Sequence, residues 1–129
     1  MNTPQILKQY RTIAVVGCSK DETKYSHIVA KYLIDAGYNI LPVNPTADSV
    51  LGRKCFRSLR EVPEKVGIVD VFRPSEEALE VAKQAIRIGA KVVWLQEGIT
   101  SEEARKYCES NGLVFVQDKC TMKEHMRIS

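Results

Sequence analysis

The segment TIAVVGCS at residues 12–19 gives the clearest indication of the fold of this chain. Residues 12–16 form a short apolar run of the kind found in strands buried on both faces of a sheet, and Gly17 ends the run. A stretch with the apolar period of a helix follows from about Ser26, and Gly37 stands just beyond its predicted end. A buried strand, a polar loop and a helix in this order predict the first half of a β-α-β unit.

The same alternation continues along the chain. Further strands are predicted at residues 38–43, 67–72, 91–95 and 113–116. Pro42 lies inside the first of these and predicts that its last residues are free of ladder hydrogen bonds. Residues 46–65 are predicted to be irregular, with a short extended piece at residues 54–56 and a turn of helix after Ser58.

Helix signals separate these strands. Ser75 is predicted as the N-cap of a helix that runs to Gly89. Thr100 and Glu103 have the spacing of a capping box and predict the start of another helix. A short basic helix is expected after Thr121.

Strands that alternate with helices of this length predict right-handed crossovers and a parallel sheet with helices on both faces. The 129 residues correspond to one domain at roughly 150 residues per domain. We therefore expect an α/β fold, a single Rossmann-like three-layer domain over residues 1–129, with a five-stranded parallel sheet in the order 3-2-1-4-5. The flavodoxin-like order 2-1-3-4-5 remains open.

Composition and charge exclude several classes of protein. A net charge of +3, from 19 Lys plus Arg against 16 Asp plus Glu, is too small to favour a nucleic-acid coat. The N-terminus lacks the apolar run of a signal peptide, and no run approaches the roughly 20 residues of a membrane span. The four cysteines, none spaced as C-x-x-C, are therefore expected to be reduced thiols in the cytoplasm, with no metal site.

Polar, small or turn-forming residues follow every predicted strand. In an open parallel sheet, ligands bind beyond the carboxyl ends of the strands, where the strand order reverses. The residues at these ends are Gly17-Cys18-Ser19, Asn44-Pro45, Arg73-Pro74, Gln96-Glu97-Gly98 and Asp118-Lys119-Cys120. Each loop alone is ordinary, because loops are polar, but the five together favour a site for a ligand the size of a nucleotide.

The loop after the first strand departs from the dinucleotide-binding fingerprint. The pattern G-x-G-x-x-G starting at Gly17 would need glycines where Ser19 and Glu22 stand. Ser19 offers a hydroxyl and a backbone N–H to a phosphate, and the helix that begins near Ser26 adds its N-terminal amides. The loop therefore predicts a phosphate site placed differently from that of NAD.

The end of the second strand argues against NAD more directly. NAD binders place Asp or Glu there to hold the ribose hydroxyls, whereas this chain has Asn44-Pro45. Arg53 and Lys54 follow shortly after and could meet an extra phosphate, such as the 3′-phosphate of coenzyme A (CoA) or the 2′-phosphate of NADP. For these two cations taken alone, a solvated basic turn is the simpler interpretation.

Seven short motifs, in order along the chain, carry a resemblance to a known family. They are Gly17-Cys18-Ser19, Tyr25-Ser26, Leu41-Pro42-Val43-Asn44-Pro45, Leu51-Gly52, Val69-Asp70-Val71-Phe72-Arg73, Val93-Trp94-Leu95-Gln96 with Gly98, and Asp118-Lys119-Cys120 with Glu124-His125. From about residue 10 to residue 127, the chain resembles the small CoA-binding-domain proteins, which are related to the CoA-binding half of the succinyl-CoA synthetase α-subunit. The resemblance implies a stand-alone Rossmann-type domain that binds CoA or an acyl-CoA without catalysing a reaction.

The resemblance also implies a role for each matched residue. The loop Gly17-Cys18-Ser19 would hold the pyrophosphate. Asn44 and Pro45 would border the adenosine. Arg53 or Lys54 would lie near the 3′-phosphate.

The remaining matched residues would follow the rest of the ligand. Phe72 and Arg73 would lie along it, and Gln96 and Gly98 would line the pantetheine side. Cys18 departs from the small non-thiol residue, such as Ala, that is commoner in this family, and it adds a thiol beside the ligand. We therefore hypothesise that Cys18 or Cys120 forms a mixed disulfide with CoA under oxidation.

Two other functions remain open. One is an NAD(P)-binding redox sensor on the same fold, which would not need a pantetheine arm. The other is a small Cys-dependent acyl-CoA transferase or thioesterase, in which Cys120 and His125 pair as thiolate and imidazolium beside Asp118. For this pair, a buried cysteine and a hydrogen-bonded histidine are the simpler interpretation. We expect a non-catalytic module, because no other catalytic motif occurs in the sequence. Beyond CoA, its partner could be an unknown protein or a second copy that contacts Trp94 or Phe72.

Overall fold

A central parallel sheet organises the computed structural model, which describes residues 1–128. The strands in chain order are β1 (Thr12–Val16), β2 (Asn39–Val43), β3 (Ser49–Val50), β4 (Arg53–Lys54), β5 (Ile68–Val71), β6 (Val92–Leu95) and β7 (Val114–Val116). The sheet has the order β2-β1-β5-β6-β7, and every neighbouring pair is parallel. The short strands β3 and β4 form a separate antiparallel hairpin inside the segment predicted to be irregular.

The α/β architecture and the five-stranded parallel sheet are confirmed, but the expected strand order 3-2-1-4-5 is wrong. Counted over the sheet strands alone, the order is 2-1-3-4-5, the alternative that the sequence left open. The outer edge of β2 is occupied by the segment around Phe56, whose N–H donates to the Pro42 carbonyl at 2.9 Å. The Asn44 N–H donates back to the Phe56 carbonyl at 2.9 Å. Since Pro42 has no N–H for a ladder, β2 is suited to the edge of a sheet, and the third sheet strand pairs with β1 instead.

Helices cover both faces of the sheet. They are α1 (Thr3–Gln9), α2 (Tyr25–Asp35), α3 (Ala78–Arg87), α4 (Glu102–Ser110) and α5 (Thr121–Met126). α1, α2 and α5 pack over one apolar cluster, which includes the fully buried Ile13 and Trp94, and α3 and α4 pack over the other. Among residues 1–128, no helix has the length and apolar content needed to cross a bilayer.

The helix starts show where local signals hold and where tertiary contacts override them. The helix expected near Ser26, the turn after Ser58 and the helix after Thr121 are confirmed. The predicted capping box at Thr100 is wrong by one residue, because Ser101 is the N-cap and its Oγ accepts the Ala104 N–H at 3.1 Å.

The predicted N-cap at Ser75 is also wrong. Ser75 begins a 3₁₀ turn, Ser75–Glu77, and α3 starts after it. The Ser75 Oγ accepts the N–H of Thr100 at 3.2 Å instead of capping a helix. A contact between residues 25 positions apart has therefore taken the hydroxyl that the local pattern assigned to the helix.

Candidate functional site

An open cleft of about 810 Å³ lies at the carboxyl ends of β1, β2 and β5. The strand order reverses here, because the chain leaves β1 towards β2 and returns to the other side of β1 as β5. Open α/β sheets bind their ligands at such a reversal. The cleft brings together six of the predicted site residues: Gly17, Ser19, Asn44, Pro45, Phe72 and Arg73.

Gly17 turns the chain at the end of β1 and keeps the loop close to β5. Its φ of +86° lies in the left-handed region, which favours glycine. A Cβ at this position would stand 2.7 Å from the carbonyl oxygen of Phe72. Both the conformation and the space at the floor of the cleft therefore require glycine.

The loop after Gly17 is fastened to the start of α2. The Ser19 N–H donates to the Ser26 Oγ at 3.0 Å, and the Ser19 hydroxyl accepts the Asp21 N–H at 3.0 Å. The predicted phosphate donor at the Ser19 N–H is therefore already engaged, whereas the hydroxyl keeps its own proton to donate. In the described part of the chain, no side chain caps α2, whose N-cap is Lys24. The His27 N–H donates to the Lys24 carbonyl at 3.1 Å, so the N–H groups of Tyr25 and Ser26 remain available to an anion.

Asn44 ties the loop after β2 to the loop after β1. Its Nδ2 donates to the Cys18 carbonyl at 3.0 Å, and its Oδ1 accepts the N–H and the hydroxyl of Thr46, both at 2.9 Å. Arg57 fixes the same loop from outside, because its Nη1 donates to the Pro45 carbonyl at 2.8 Å. Asn44 therefore shapes this end of the cleft with its amide.

The basic residues at the cleft differ from the predicted ones. Arg53 and Lys54 lie on β4, and neither lines the cleft in the described structure. Arg57 does line it, with 63% of its side chain exposed, and Lys24 joins it at the start of α2. No local pattern distinguishes Arg57 from its basic neighbours, because its place at the cleft depends on how the segment after the hairpin runs along β2.

The end of β5 contributes an apolar wall and an ion pair. The Phe72 ring packs edge-on against the Tyr25 ring, with the centroids 6.5 Å apart and an angle of 61° between the planes. Beside it, Arg73 Nη2 lies 2.8 Å from Glu77 Oε2, and this hydrogen bond lowers the pKa of the Glu77 carboxyl. Aromatic and charged groups next to each other suit a ligand that carries both a base or apolar arm and anionic groups.

The strand ends beyond β5 form no part of the cleft, because other residues of the chain cover them, and we call them the closed half of the carboxyl edge. Gln96, predicted on the pantetheine side, is 2% exposed and donates from Nε2 to Asp70 Oδ1 at 2.6 Å and to Thr121 Oγ1 at 2.9 Å. The Thr121 hydroxyl donates to Asp70 Oδ2 at 3.0 Å. Burial of Asp70 raises the pKa of its carboxyl to about 7 and outweighs these two hydrogen bonds, which lower it.

Residues 118–121, which we call the strap, cover this closed half. The Asp118 carboxylate accepts the N–H of Gly98 at 2.7 Å, so Gly98 is held by the strap and does not line the cleft. The Lys119 carbonyl accepts Trp94 Nε1–H at 2.8 Å. Trp94 is fully buried, so the expected dimer contact at Trp94 is wrong.

The cysteines lie inside the protein as free thiols. Cys18 is fully buried, and burial, with smaller contributions from Cys55 and Asp70, raises the pKa of its thiol to about 12. A buried thiol that stays protonated is unreactive, which disfavours a mixed disulfide at Cys18. Cys120 is 2% exposed.

Cys120 and His125 have different partners, although the transferase alternative needs them paired. Cys120 Sγ lies 2.9 Å from Tyr25 Oη, and His125 Nδ1 lies 2.8 Å from Tyr32 Oη. Each of the two residues contacts a tyrosine, and the simpler interpretation, a buried cysteine and a hydrogen-bonded histidine, is confirmed. Tyr25 connects the closed half to the cleft, which no local sequence signal indicates because the contact spans 95 positions.

Comparison with known proteins identifies the family of this chain. A family model described as "CoA binding domain" matches residues 11–126. The "Uncharacterized protein YneT" of Bacillus subtilis is 41% identical over 121 residues, which are 94% of this chain and 90% of that protein. A solved structure described as "hypothetical protein from Pyrococcus horikoshii OT3" is 41% identical, superposes with a TM-score of 0.94, and matches over 98% of this chain and 92% of that one.

Larger proteins share part of this similarity. The "Acetate--CoA ligase [ADP-forming] II subunit alpha" of Pyrococcus furiosus is 29% identical over 118 residues. The match covers 88% of this chain but 25% of that subunit. The chain therefore spans about a quarter of the length of this ligase subunit.

Proposed function

This chain belongs to the CoA-binding domain family, and from that premise we propose that it binds coenzyme A or an acyl-CoA in the cleft at the strand ends. In this proposal the protein is a binding module that catalyses no reaction by itself. The observation that carries it is the position of the cleft, which opens at the reversal of strand order. Its volume of about 810 Å³ suits an extended nucleotide cofactor.

The charges that line the cleft support an anionic ligand. Lys24, Arg57 and Arg73 stand around it, against the carboxylate of Glu77. Glu77 is paired with Arg73 at 2.8 Å, so its charge is largely compensated. We assign the diphosphate to the first turn of α2, where the N–H groups of Tyr25 and Ser26 favour negative charge, and to the Ser19 hydroxyl beside it. The N–H groups of Gly17-Cys18-Ser19 are already bonded to the Val43 carbonyl and to Ser26 Oγ.

Arg57 takes the role that the sequence assigned to Arg53 or Lys54. Its guanidinium is exposed and bonded to the Pro45 carbonyl, which holds it beside the loop after β2. A guanidinium binds phosphate oxygens through two parallel hydrogen bonds, so Arg57 suits the 3′-phosphate of CoA. The adenosine would then border Asn44 and Pro45, as the family resemblance implies.

The pantetheine arm follows a different course from the expected one. Gln96 and Gly98 are bonded within the closed half of the strand ends, so we assign the arm to the wall formed by Tyr25 and Phe72. The chain spans about a quarter of the length of the ligase subunit, so we propose CoA binding alone for it and not the ligase reaction. We place the protein in the cytoplasm, where a reducing environment keeps its free cysteines as thiols.

Calorimetric titration and thermal unfolding with CoA, acetyl-CoA, NADP and NAD test this proposal. We expect CoA and acetyl-CoA to bind and, at about 100 times Kd, to raise Tm by several degrees. NAD should leave Tm unchanged. Mass spectrometry of the purified protein shows beforehand whether a ligand is already bound.

The alternatives give different results in the same experiment. Preferential binding of NADP or NAD would support the redox-sensor function and overturn the CoA assignment. Release of free CoA from acetyl-CoA, detected with a thiol reagent, would contradict a non-catalytic module. A Cys120→Ser variant that abolished such release would assign it to the cysteine.

A further inference from the structure

The strap presents the buried thiol of Cys120 to a residue of the cleft wall. Cys120 is 2% exposed, and its Sγ lies 2.9 Å from the hydroxyl of Tyr25. Tyr25 is the first residue of α2, lines the cleft and is 41% exposed. The contact therefore joins the closed half of the strand ends to the open half.

The strap is a fixed support for this thiol. Hydrogen bonds tether it, among them Asp118 to Gly98 at 2.7 Å, Lys119 to Trp94 at 2.8 Å and Thr121 to Asp70 at 3.0 Å. The tethers flank Cys120 on both sides and reach β5, β6 and the loop after β6. A thiol that is already immobilised loses little conformational freedom when it holds a partner.

Two contacts fix the Tyr25 ring. One is the edge-on packing against Phe72, with the ring centroids 6.5 Å apart. The other is the contact of its hydroxyl with Cys120. A half-exposed side chain at a helix start can adopt several rotamers, and this contact selects one of them. Burial and the hydrogen bond to Cys120 raise the pKa of the Tyr25 phenol, so it keeps its proton at neutral pH.

We propose that Cys120 is a positioning residue for the ligand: its thiol holds Tyr25 against Phe72 and so sets the apolar wall that meets the pantetheine arm. The inference rests on the proposed function, since it assigns to Cys120 an effect on CoA affinity. Cys120 acts through Tyr25 and does not itself touch the ligand. The strap thus contributes to a site that it does not line.

Nuclear Overhauser contacts between the Tyr25 and Phe72 rings test the support without any ligand. We expect them in the wild-type protein and in Cys120→Ser, where a hydroxyl replaces the thiol, and we expect their loss in Cys120→Ala. Cys108→Ala is the matched control, because it truncates a buried cysteine of α4 on the opposite face of the sheet. Contacts that persist in Cys120→Ala would overturn the inference.

Calorimetric titration of CoA measures the consequence for binding. Cys120→Ala and Tyr25→Phe should each weaken CoA binding about 5- to 10-fold, and the double variant should lose about as much as either one, because both remove the same interaction. Adenosine 3′,5′-bisphosphate, which lacks the pantetheine arm, should bind all variants alike. Tyr25→Phe also tests the contact from its exposed side if Cys120→Ala does not fold.

The outcomes separate the two proposals. Wild-type CoA affinity in Cys120→Ala, additive losses in the double variant, or an equal loss for adenosine 3′,5′-bisphosphate would overturn the positioning role. A wild-type protein that binds no CoA would overturn the proposed function instead, and the ring contacts would then still decide whether Cys120 orients Tyr25.

Discussion

The carboxyl edge of the sheet has two halves that differ in what covers them. Over β1 and β2 and at the end of β5, the edge is open and its loops line the cleft. Over β6 the edge is closed by the strap. Arg73, in the open half, has 46% of its side chain exposed, whereas Gln96, at the equivalent end of β6, is 2% exposed.

Both halves carry polar residues after a parallel strand, so position at a strand end does not by itself make a binding residue. In the closed half, Gln96 and Gly98 bond to Asp70, Thr121 and Asp118 of the same chain. A donor that is already paired inside the protein is no longer available to a ligand, and this holds for Gln96 Nε2 and for the Gly98 N–H. The open half keeps exposed cations and a helix start for this purpose.

The largest effect that would test this contrast comes from Asp70 in the closed half. The titration of its carboxyl should make the free energy of unfolding depend on pH. Burial raises the pKa of Asp70 from its ordinary 3.8 to about 7, so the folded protein holds more protons than the unfolded chain between these values. Protonation of Asp70 therefore stabilises the folded protein by about 4 kcal/mol below the ordinary pKa, and this contribution is lost as the pH rises through 7. Asp70→Asn should remove this slope from unfolding free energies measured in urea between pH 4 and 8.

An exposed carboxylate provides the control for that experiment. Asp35 pairs with Lys31 on the surface of α2, and both side chains are more than half exposed, at 66% and 63%. Asp35→Asn should keep the wild-type slope, because a surface pair contributes little. A wild-type slope equal to that of Asp70→Asn would contradict the raised pKa of Asp70.

A second effect concerns the floor of the open half. Gly17→Ala should lower the free energy of unfolding by about 2 kcal/mol or more, because a positive φ is unfavourable for alanine and its Cβ would meet the Phe72 carbonyl. The displaced loop should also abolish CoA binding in calorimetry. Gly89→Ala is the matched control, with φ +79° and no described atom within 4 Å of the new Cβ. It should cost about 1 kcal/mol and leave binding unchanged, and equal behaviour of the two variants would contradict the close approach at Gly17.

The smallest effect tests which cation binds the 3′-phosphate of CoA in the open half. Arg57→Ala should weaken CoA binding about 10-fold, or about 1.4 kcal/mol, while Tm stays near that of the wild type. Dephospho-CoA, which lacks the 3′-phosphate, should lose less affinity than CoA does in Arg57→Ala, because only the hydrogen bond of Arg57 to the Pro45 carbonyl then affects its binding. Arg53→Ala, a change on β4 outside the cleft, should keep wild-type affinity. The opposite pattern, with loss only in Arg53→Ala, would restore the assignment made from the sequence.

The sequence contains one signal for the observed strand order, which is the proline within β2. The prediction that the strand residues from Pro42 onward are free of ladder hydrogen bonds is wrong, because Pro42 and Val43 both pair with β1. On the outer edge of β2, the Pro42 carbonyl accepts the Phe56 N–H. A strand with a proline in this position is unsuited to the interior of a sheet, which favours 2-1-3-4-5 over 3-2-1-4-5. What the sequence did not show is that the segment around Phe56 would occupy that edge.

Local sequence patterns predict the parts of this protein that depend on neighbouring residues. Apolar runs such as residues 12–16, the glycine after that run and the period of α2 are local patterns, and they located the strands, the main helices and five residues of the cleft. The sixth, Phe72, was implied by the family resemblance. These local patterns do not predict which strand ends stay open. That choice depends on contacts between distant positions, such as Tyr25 with Cys120, and no local pattern encodes a hydrogen bond between residues 95 positions apart.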